Sequence, residues 1–307
     1  MTKSLMIILL LATWLCLPAG AQVKEHFVTV DRLRVHYVES GNGPAVVMIH
    51  GNAGSSEDFE FGVIQKLSPN YRVIAVDRPG HGKSDRPNTA NVEYQARLLH
   101  EVLLSLRVHE PVLVGHSWGA ALALSYALQY PAEVSALILV APAAYPDAGE
   151  SRLLQALAKP PVIGDMNLIL GRAILGRQIL RAGLSRAFSP QPVPEEYFKR
   201  VASSWLGRKQ LKAYLDDESS LNASLKQFSQ RYIEIDVPVV ILTGDHDAIV
   251  SAKENAYRLK SAIPRAQLIE IKDTGHEIPQ THPESIAGAL RLISSTSASV
   301  TRQRSGL

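Results

Sequence analysis

A serine stands between two glycines in Gly115-His116-Ser117-Trp118-Gly119, directly after the apolar run Val112-Leu113-Val114 and directly before a helically spaced stretch from Ala120. Gly-x-Ser-x-Gly between a strand and a helix is the pattern of a nucleophile held at a sharp bend. The bend strains the serine backbone and exposes its hydroxyl. The glycines remove side chains that would collide with the strand and the helix. The helix N-terminus offers backbone N–H groups and a partial positive charge to a developing oxyanion. The chemistry of such a group is nucleophilic attack, which a serine hydroxyl performs only when a base takes its proton.

Candidate bases are histidines in loops that follow strands. His276 fits best: it lies in Asp273-Thr274-Gly275-His276-Glu277, just past an apolar strand ending at Ile271. His81 and His116 are competitors by composition, but His116 adjoins the serine inside the bend, where its side chain is expected to point away. A base of this kind needs a carboxylate to fix its tautomer and stabilise the imidazolium. The loop 243–250, after a strand ending at Leu242, offers Asp245 and Asp247, and spacing alone does not choose between them. Serine, acid and histidine thus each follow a different strand, and chemistry in open α/β sheets gathers at the strands' carboxyl ends.

The elements that must position these residues are legible in outline. Residues 27–30 and 33–38 read as an antiparallel hairpin turning at Asp31-Arg32. Residues 45–49, 73–76, 112–114, 137–140, 239–242 and 267–271 are short runs rich in branched residues. Most lack polar alternation, as strands buried on both faces should. Helical spacing at 92–106, 120–130, 252–261 and 283–293 separates or follows them. The fold class expected is therefore α/β, a mostly parallel, doubly wound sheet. Residues 143–232 break the pattern with helical apolar spacing, frequent Gly and Pro and many basic residues. They read as a helical cap inserted between two parts of one core, 22–142 and 233–294, with 295–307 a flexible tail.

Residues 1–21 have the form of a signal peptide: Lys3, then an apolar run from Leu5 to Leu17, then Pro18-Ala19-Gly20-Ala21. The run is short for a membrane span, which takes ~20 residues. The expected location is secreted or periplasmic, and the alternative is anchoring by this segment uncleaved, the one membrane contact foreseen. The single cysteine, Cys16, lies inside it, so a processed chain has no disulfide and no thiolate chemistry. The 307 residues carry a net charge of +3 with 20% charged and 46% hydrophobic residues. That composition suits a globular enzyme and gives no sign of a nucleic-acid partner.

With these motifs in place, the chain resembles the α/β-hydrolase superfamily over residues 27–293. The family's His-Gly after the strand preceding the first long helix is matched by His50-Gly51-Asn52-Ala53-Gly54, and its Asp-x-x-Gly-x-Gly-x-Ser loop by Asp77-Arg78-Pro79-Gly80-His81-Gly82-Lys83-Ser84. The second loop reads as architecture rather than chemistry. The resemblance implies that the backbone N–H groups of Asn52 and Trp118 form the oxyanion hole. It also implies that Asp247, in the family's Gly-x-x-Asp pattern, is the acid. Ser117 departs from the aspartate of the dehalogenase and epoxide hydrolase branches, and Trp118 at the halide-binding position does not offset that. The activity implied is hydrolysis of a small-molecule carboxylic ester through an acyl-enzyme on Ser117, Asp247 and His276, with no cofactor and no metal. Alternatives on the same residues are a cofactor-free haloperoxidase or perhydrolase, an acyltransferase, and an amide or carbon–carbon bond hydrolase. The apolar residues of the cap suit an apolar acyl or alcohol group, although such residues also pack helix on helix. Arg172, Arg177, Arg181 and Arg186 are read as a solvated helix face, with contact to an anionic substrate or lipid the alternative.

Overall fold

The computed structural model describes residues 22–88, 91–146, 176–205 and 207–305. The candidate signal peptide and much of the cap, Arg172 included, lie outside the described residues.

Eight strands form one sheet: β1 (Lys24–Val30), β2 (Leu33–Ser40), β3 (Ala45–Ile49), β4 (Arg72–Val76), β5 (Val112–His116), β6 (Ala136–Val140), β7 (Val239–Gly244) and β8 (Ala266–Ile271). Their order is β1-β2-β4-β3-β5-β6-β7-β8. The β1–β2 and β2–β4 pairs are antiparallel, and all the others are parallel. Asp31 and Arg32 make the β1–β2 turn with φ of 48° and 63°. Positive φ at both central residues matches the right-handed twist of the strands it joins.

Alternate residues of the central strands face two separate cores. Val47, Ile49, Leu113, Leu137, Leu139 and Ile241 pack on one face, under α2 (Val92–Ser105) and α3 (Trp118–Gln129). Val46, Met48, Val114, Ile138, Val140 and Leu242 pack on the other, against Val63, Ile64 and Leu67 of α1 (Val63–Leu67) and against Ile286, Leu290 and Ile293. This two-sided burial explains the runs without alternation. α3 is buried along nearly its whole length, so the segment that follows Ser117 is anchored all round.

Among the described residues of 143–232 there is no strand. Helix α4 spans 176–188, α5 is Glu195–Trp205 and α6 is Arg208–Phe228. Leu180 of α4 packs with Phe198 and Ala202 of α5, while Leu225 and Phe228 of α6 join the core under α3. The described part of the insertion is thus helical, and α6 is seated on the sheet's helical layer. The last helix, α7 (Pro283–Ser305), carries on through most of the segment read as a tail. Among the described residues no helix is long and apolar enough to cross a membrane.

Candidate active site

Ser117 sits between β5 and α3 with φ 53° and ψ −116°. A non-glycine residue in this region costs about 1–3 kcal/mol and persists only where its surroundings enforce it. Here they do. The Ser117 N–H donates to the Val140 carbonyl at 2.8 Å, and the Ser117 carbonyl accepts from Ala120 at 3.0 Å. A Cβ on Gly115 would lie 2.7 Å from the Cα of Ala120, and one on Gly119 would lie 2.6 Å from the carbonyl oxygen of His50. Both glycines are therefore dictated by the close crossing of strand and helix.

His276 and Asp247 come from the loops after β8 and β7. His276 Nδ1 donates to Asp247 Oδ2 at 2.8 Å, with side chains 5% and 1% exposed. The other carboxylate oxygen, Oδ1, accepts from the N–H groups of Ile249 and Val250 at 2.8 and 2.9 Å. Burial alone would raise the Asp247 carboxyl, but the His276 ring and those two N–H groups hold it below the usual range. Burial opposes a charged His276, yet Asp247 outweighs it and raises the ring above its ordinary value of 6.5. With Nδ1 committed as a donor, Nε2 is the nitrogen left to accept a proton. Asp245, the other aspartate of the loop, instead accepts from Thr274 N–H at 3.1 Å and pairs with His246 at 2.8 Å.

The competing histidines have structural work. His81 is fully buried and donates to Asp217 at 2.9 Å. His116 does not point away from the site: its ring centroid lies 4.9 Å from that of His276 and its Nε2 donates to the His276 carbonyl at 3.1 Å. Burial, with the His276 ring close by, pushes His116 down to about 3, so it is a neutral donor that fixes the histidine loop. The α4 terminus fixes the same loop, since His276 N–H donates to Ala187 O at 2.8 Å.

Ser117, His276 and Asn52 line one pocket of about 180 Å³. Its apolar lining comes from Leu180, Leu184, Ala187, Val201 and Ile249. Its polar lining includes Asp58, Glu218, Glu277, Tyr197 and Tyr214, and no lysine or arginine is among the described lining residues. Arg177, Arg181 and Arg186 are spent elsewhere: Arg177 and Arg181 lie over the Phe198 ring, Arg181 pairs with Glu195 at 3.0 Å, and Arg186 donates to Ala248 O at 2.7 Å. Among the described residues no His, Cys, Asp and Glu group is arranged to hold a metal ion.

Two sets of contacts at this site are not specified by the sequence motifs. Asp58 receives the Tyr197 hydroxyl at 3.2 Å and the Ser55 N–H at 3.3 Å. Burial, aided by Glu277, pushes its carboxyl up to about 8. The second set lies behind the loop His50-Gly51-Asn52. Arg78, 1% exposed, donates to the carbonyls of His50 and Gly51 at 3.1 and 3.0 Å and to Asp217 of α6 at 2.6 Å. Its guanidinium carbon also stacks 4.0 Å from the Trp118 ring. The Asn52 side chain turns to the cap, donating to Glu218 at 2.7 Å and to Tyr214 O at 3.2 Å. Asp217 stands in the polar run Asp216-Asp217-Glu218-Ser219-Ser220, where nothing local sets it apart.

A family model for the alpha/beta hydrolase fold matches residues 44–283. The chain is 27% identical to a cis-3-alkyl-4-alkyloxetan-2-one decarboxylase of Shewanella oneidensis over 274 residues, covering 83% of each chain. It is 30% identical to a 2-hydroxy-6-oxononadienedioate/2-hydroxy-6-oxononatrienedioate hydrolase of Burkholderia vietnamiensis over 270 residues, 82% of this chain and 88% of that one. Among solved structures, Cfl2 of Burkholderia cenocepacia superposes with a TM-score of 0.75 at 25% identity, covering 89% of this chain and 96% of the other.

Proposed function

The chain belongs to the alpha/beta hydrolase fold family, and from that premise we propose that it hydrolyses uncharged, apolar carboxylic esters through an acyl-enzyme on Ser117. The observation that carries the reading is one pocket holding Ser117 in its left-handed bend together with His276, whose far nitrogen is hydrogen-bonded to Asp247.

His276 Nε2 takes the hydroxyl proton as Ser117 Oγ bonds to the ester carbonyl carbon. The backbone N–H groups of Asn52 and Trp118 hold the oxyanion. The tetrahedral adduct collapses with cleavage of the carbon–oxygen bond, and the alcohol leaves with the proton from His276. Water then attacks the acyl-enzyme with His276 again as base, releasing the acid and restoring the serine. Each oxyanion donor is worth about 3 kcal/mol of barrier, and the base roughly 10²–10⁴-fold in rate.

The pocket's chemistry supports the substrate class. Its apolar lining suits an alkyl or aryl group, and no lysine or arginine among its described lining residues offers a carboxylate a counter-charge. An oxetan-2-one is itself an uncharged cyclic ester, and the decarboxylase relative is named for one that bears two alkyl groups on that ring. A dioate, which the second relative's name specifies, would bring two negative charges with no such counter-charge among the described lining residues. The chain's first residues, 1–21, support export with cleavage before Gln22; N-terminal sequencing of protein recovered from outside the cytoplasm tests this.

The test of the activity is Ser117→Ala. It should abolish turnover of p-nitrophenyl esters and labelling by a fluorophosphonate while leaving the circular dichroism spectrum unchanged. A variant that still turns over ester at the wild-type rate overturns the reading.

A further inference from the structure

Burying a charge away from water is unfavourable unless it is paired and hydrogen-bonded. Arg78 and Asp217 are both buried to about 1% exposure, and neither belongs to the reacting groups. Arg78 lies in the loop after β4 and Asp217 on the cap helix α6. Every part of this unit is satisfied. Asp217 Oδ2 accepts from Arg78 Nη1 at 2.6 Å and from His81 Nε2 at 2.9 Å, and its Oδ1 accepts from Gln95 Nε2 at 3.0 Å. Gln95 in turn receives a second contact from Arg78 at 3.1 Å through its oxygen.

The direction of the remaining Arg78 donors is informative. Nε and Nη2 reach two consecutive main-chain carbonyls, those of His50 and Gly51, at 3.1 and 3.0 Å. His50 closes the loop from the same side: its Nδ1 donates to Gly51 O at 2.8 Å and its Nε2 accepts the Arg78 N–H at 2.9 Å. A carbonyl turned toward Arg78 fixes the peptide plane it belongs to, and the Gly51 carbonyl shares its plane with the Asn52 N–H. The carbonyl and the N–H of one trans peptide point in opposite directions, so holding the first behind the loop aims the second into the pocket. The same guanidinium plane lies on Trp118, whose N–H is the other oxyanion donor, and Trp118 Nε1 donates to Asp217 O at 3.4 Å.

We propose that Arg78, locked by Asp217 of the cap, is a positioning residue that presets both oxyanion donors for the transition state. This rests on the ester-hydrolase reading above and extends it: the cap contributes to rate, through the charge it sends into the core, as well as forming a wall. A ground-state ester carbonyl depends little on that alignment, whereas the oxyanion depends on it strongly.

The test uses the full chain and three variants. Arg78→Lys keeps the charge and loses the fork that spans two carbonyls. Asp217→Asn keeps the shape and frees the fork. The double variant Arg78→Leu/Asp217→Leu replaces the ion pair by apolar groups, a change that often preserves folding. Folding is read by thermal unfolding, and kcat and KM on p-nitrophenyl butyrate. Affinity is read for an alkyl trifluoromethyl ketone, which adds reversibly to Ser117 and places its oxyanion between the two donors. Arg78→Lys should lower kcat about 10–100-fold, with KM within about twofold. Ketone affinity should fall by a similar factor, and the double variant should recover melting temperature without recovering kcat. The proposal is overturned if kcat is unchanged in folded Arg78→Lys, if KM carries the loss, if the double variant recovers kcat, or if no variant folds. Absence of esterase activity or fluorophosphonate labelling in the wild-type chain sinks the underlying reading instead, so the two failures are distinct.

Discussion

Gly119→Ala tests the close crossing of β3 and α3 beside Ser117. The added methyl would meet the carbonyl oxygen of Ile49, that of His50 at 2.6 Å and the carbonyl carbon of Ile49 at 2.8 Å. Ordinary carbon–oxygen contact begins at about 3.3–3.6 Å. All three atoms are main chain at the end of β3, so no side chain can swing aside, and α3 itself is buried. Overpacking of this kind costs typically about 1–3 kcal/mol, and the rigid surroundings place this case near 3. At about 2–4 °C per kcal/mol for a domain of this order of size, the melting temperature should fall about 6–12 °C. The displaced atoms lead directly into Gly51-Asn52, and a shift of about 1 Å in a positioning group costs on the order of 10²-fold in rate. Initial rates at 25 °C should therefore fall by at least about tenfold in protein that is still folded. The control is Gly183→Ala, a helical position where a Cβ meets nothing within 4 Å. It should gain about 0.5–1 kcal/mol from helix propensity and leave kcat alone. A Gly119→Ala protein that melts within 2 °C of wild type at full activity would refute the packing argument.

Three further outcomes follow from the same geometry. Asp247→Asn should lower kcat by on the order of 10³–10⁴-fold without unfolding, because an amide oxygen can still accept from Ile249 and Val250. The proposed base works as the neutral ring, and Asp247 raises the His276 pKa above 6.5. Log kcat/KM should thus fall as pH drops through a value above 6.5, and in Asp247→Asn that limb should move to lower pH; an unmoved limb contradicts the assignment. The folded-state pKa of Asp58 is about 8 against an ordinary 3.8, so the folded protein holds an extra proton between these values. Stability should decline as pH rises through that window, and Asp58→Asn should flatten the decline in urea midpoints measured across it.

Short-range pattern carried most of the frame. Buried parallel strands announce themselves as runs such as Ala136–Val140, and the bend at Ser117 needs glycines on both sides, so both were visible in consecutive residues. Spacing leaves two aspartates open and the family resemblance selects Asp247, the one whose carboxylate contacts His276. Arg78 lies inside a loop whose pattern reads as architecture. Its partner Asp217 lies 139 positions away on a helix whose neighbours are nearly all polar. Nothing local distinguishes that carboxylate from its solvated neighbours; only the docking of α6 onto the sheet layer does. Asp58 was hidden for a related reason. In the structure it closes a helix cap with Ser55, and it is the approach of Tyr197 and Glu277 from distant elements that makes it a pocket residue. The expectation for His116 failed because the loop bearing His276 comes within reach of its Nε2 from 160 positions away.

The placement of Ser117 after the central β5 and of His276 after β8, at the far edge of the sheet, sets an order of events during synthesis. A ribosome adding about 5–20 residues per second needs roughly 8–32 s to cover the 160 positions from His116 to His276. Throughout that interval the nascent chain carries its hydroxyl without the imidazole proposed to activate it. On the proposed mechanism hydrolytic competence arrives only when the final strand has docked, and a polypeptide cut short anywhere before that loop is expected to be born inert.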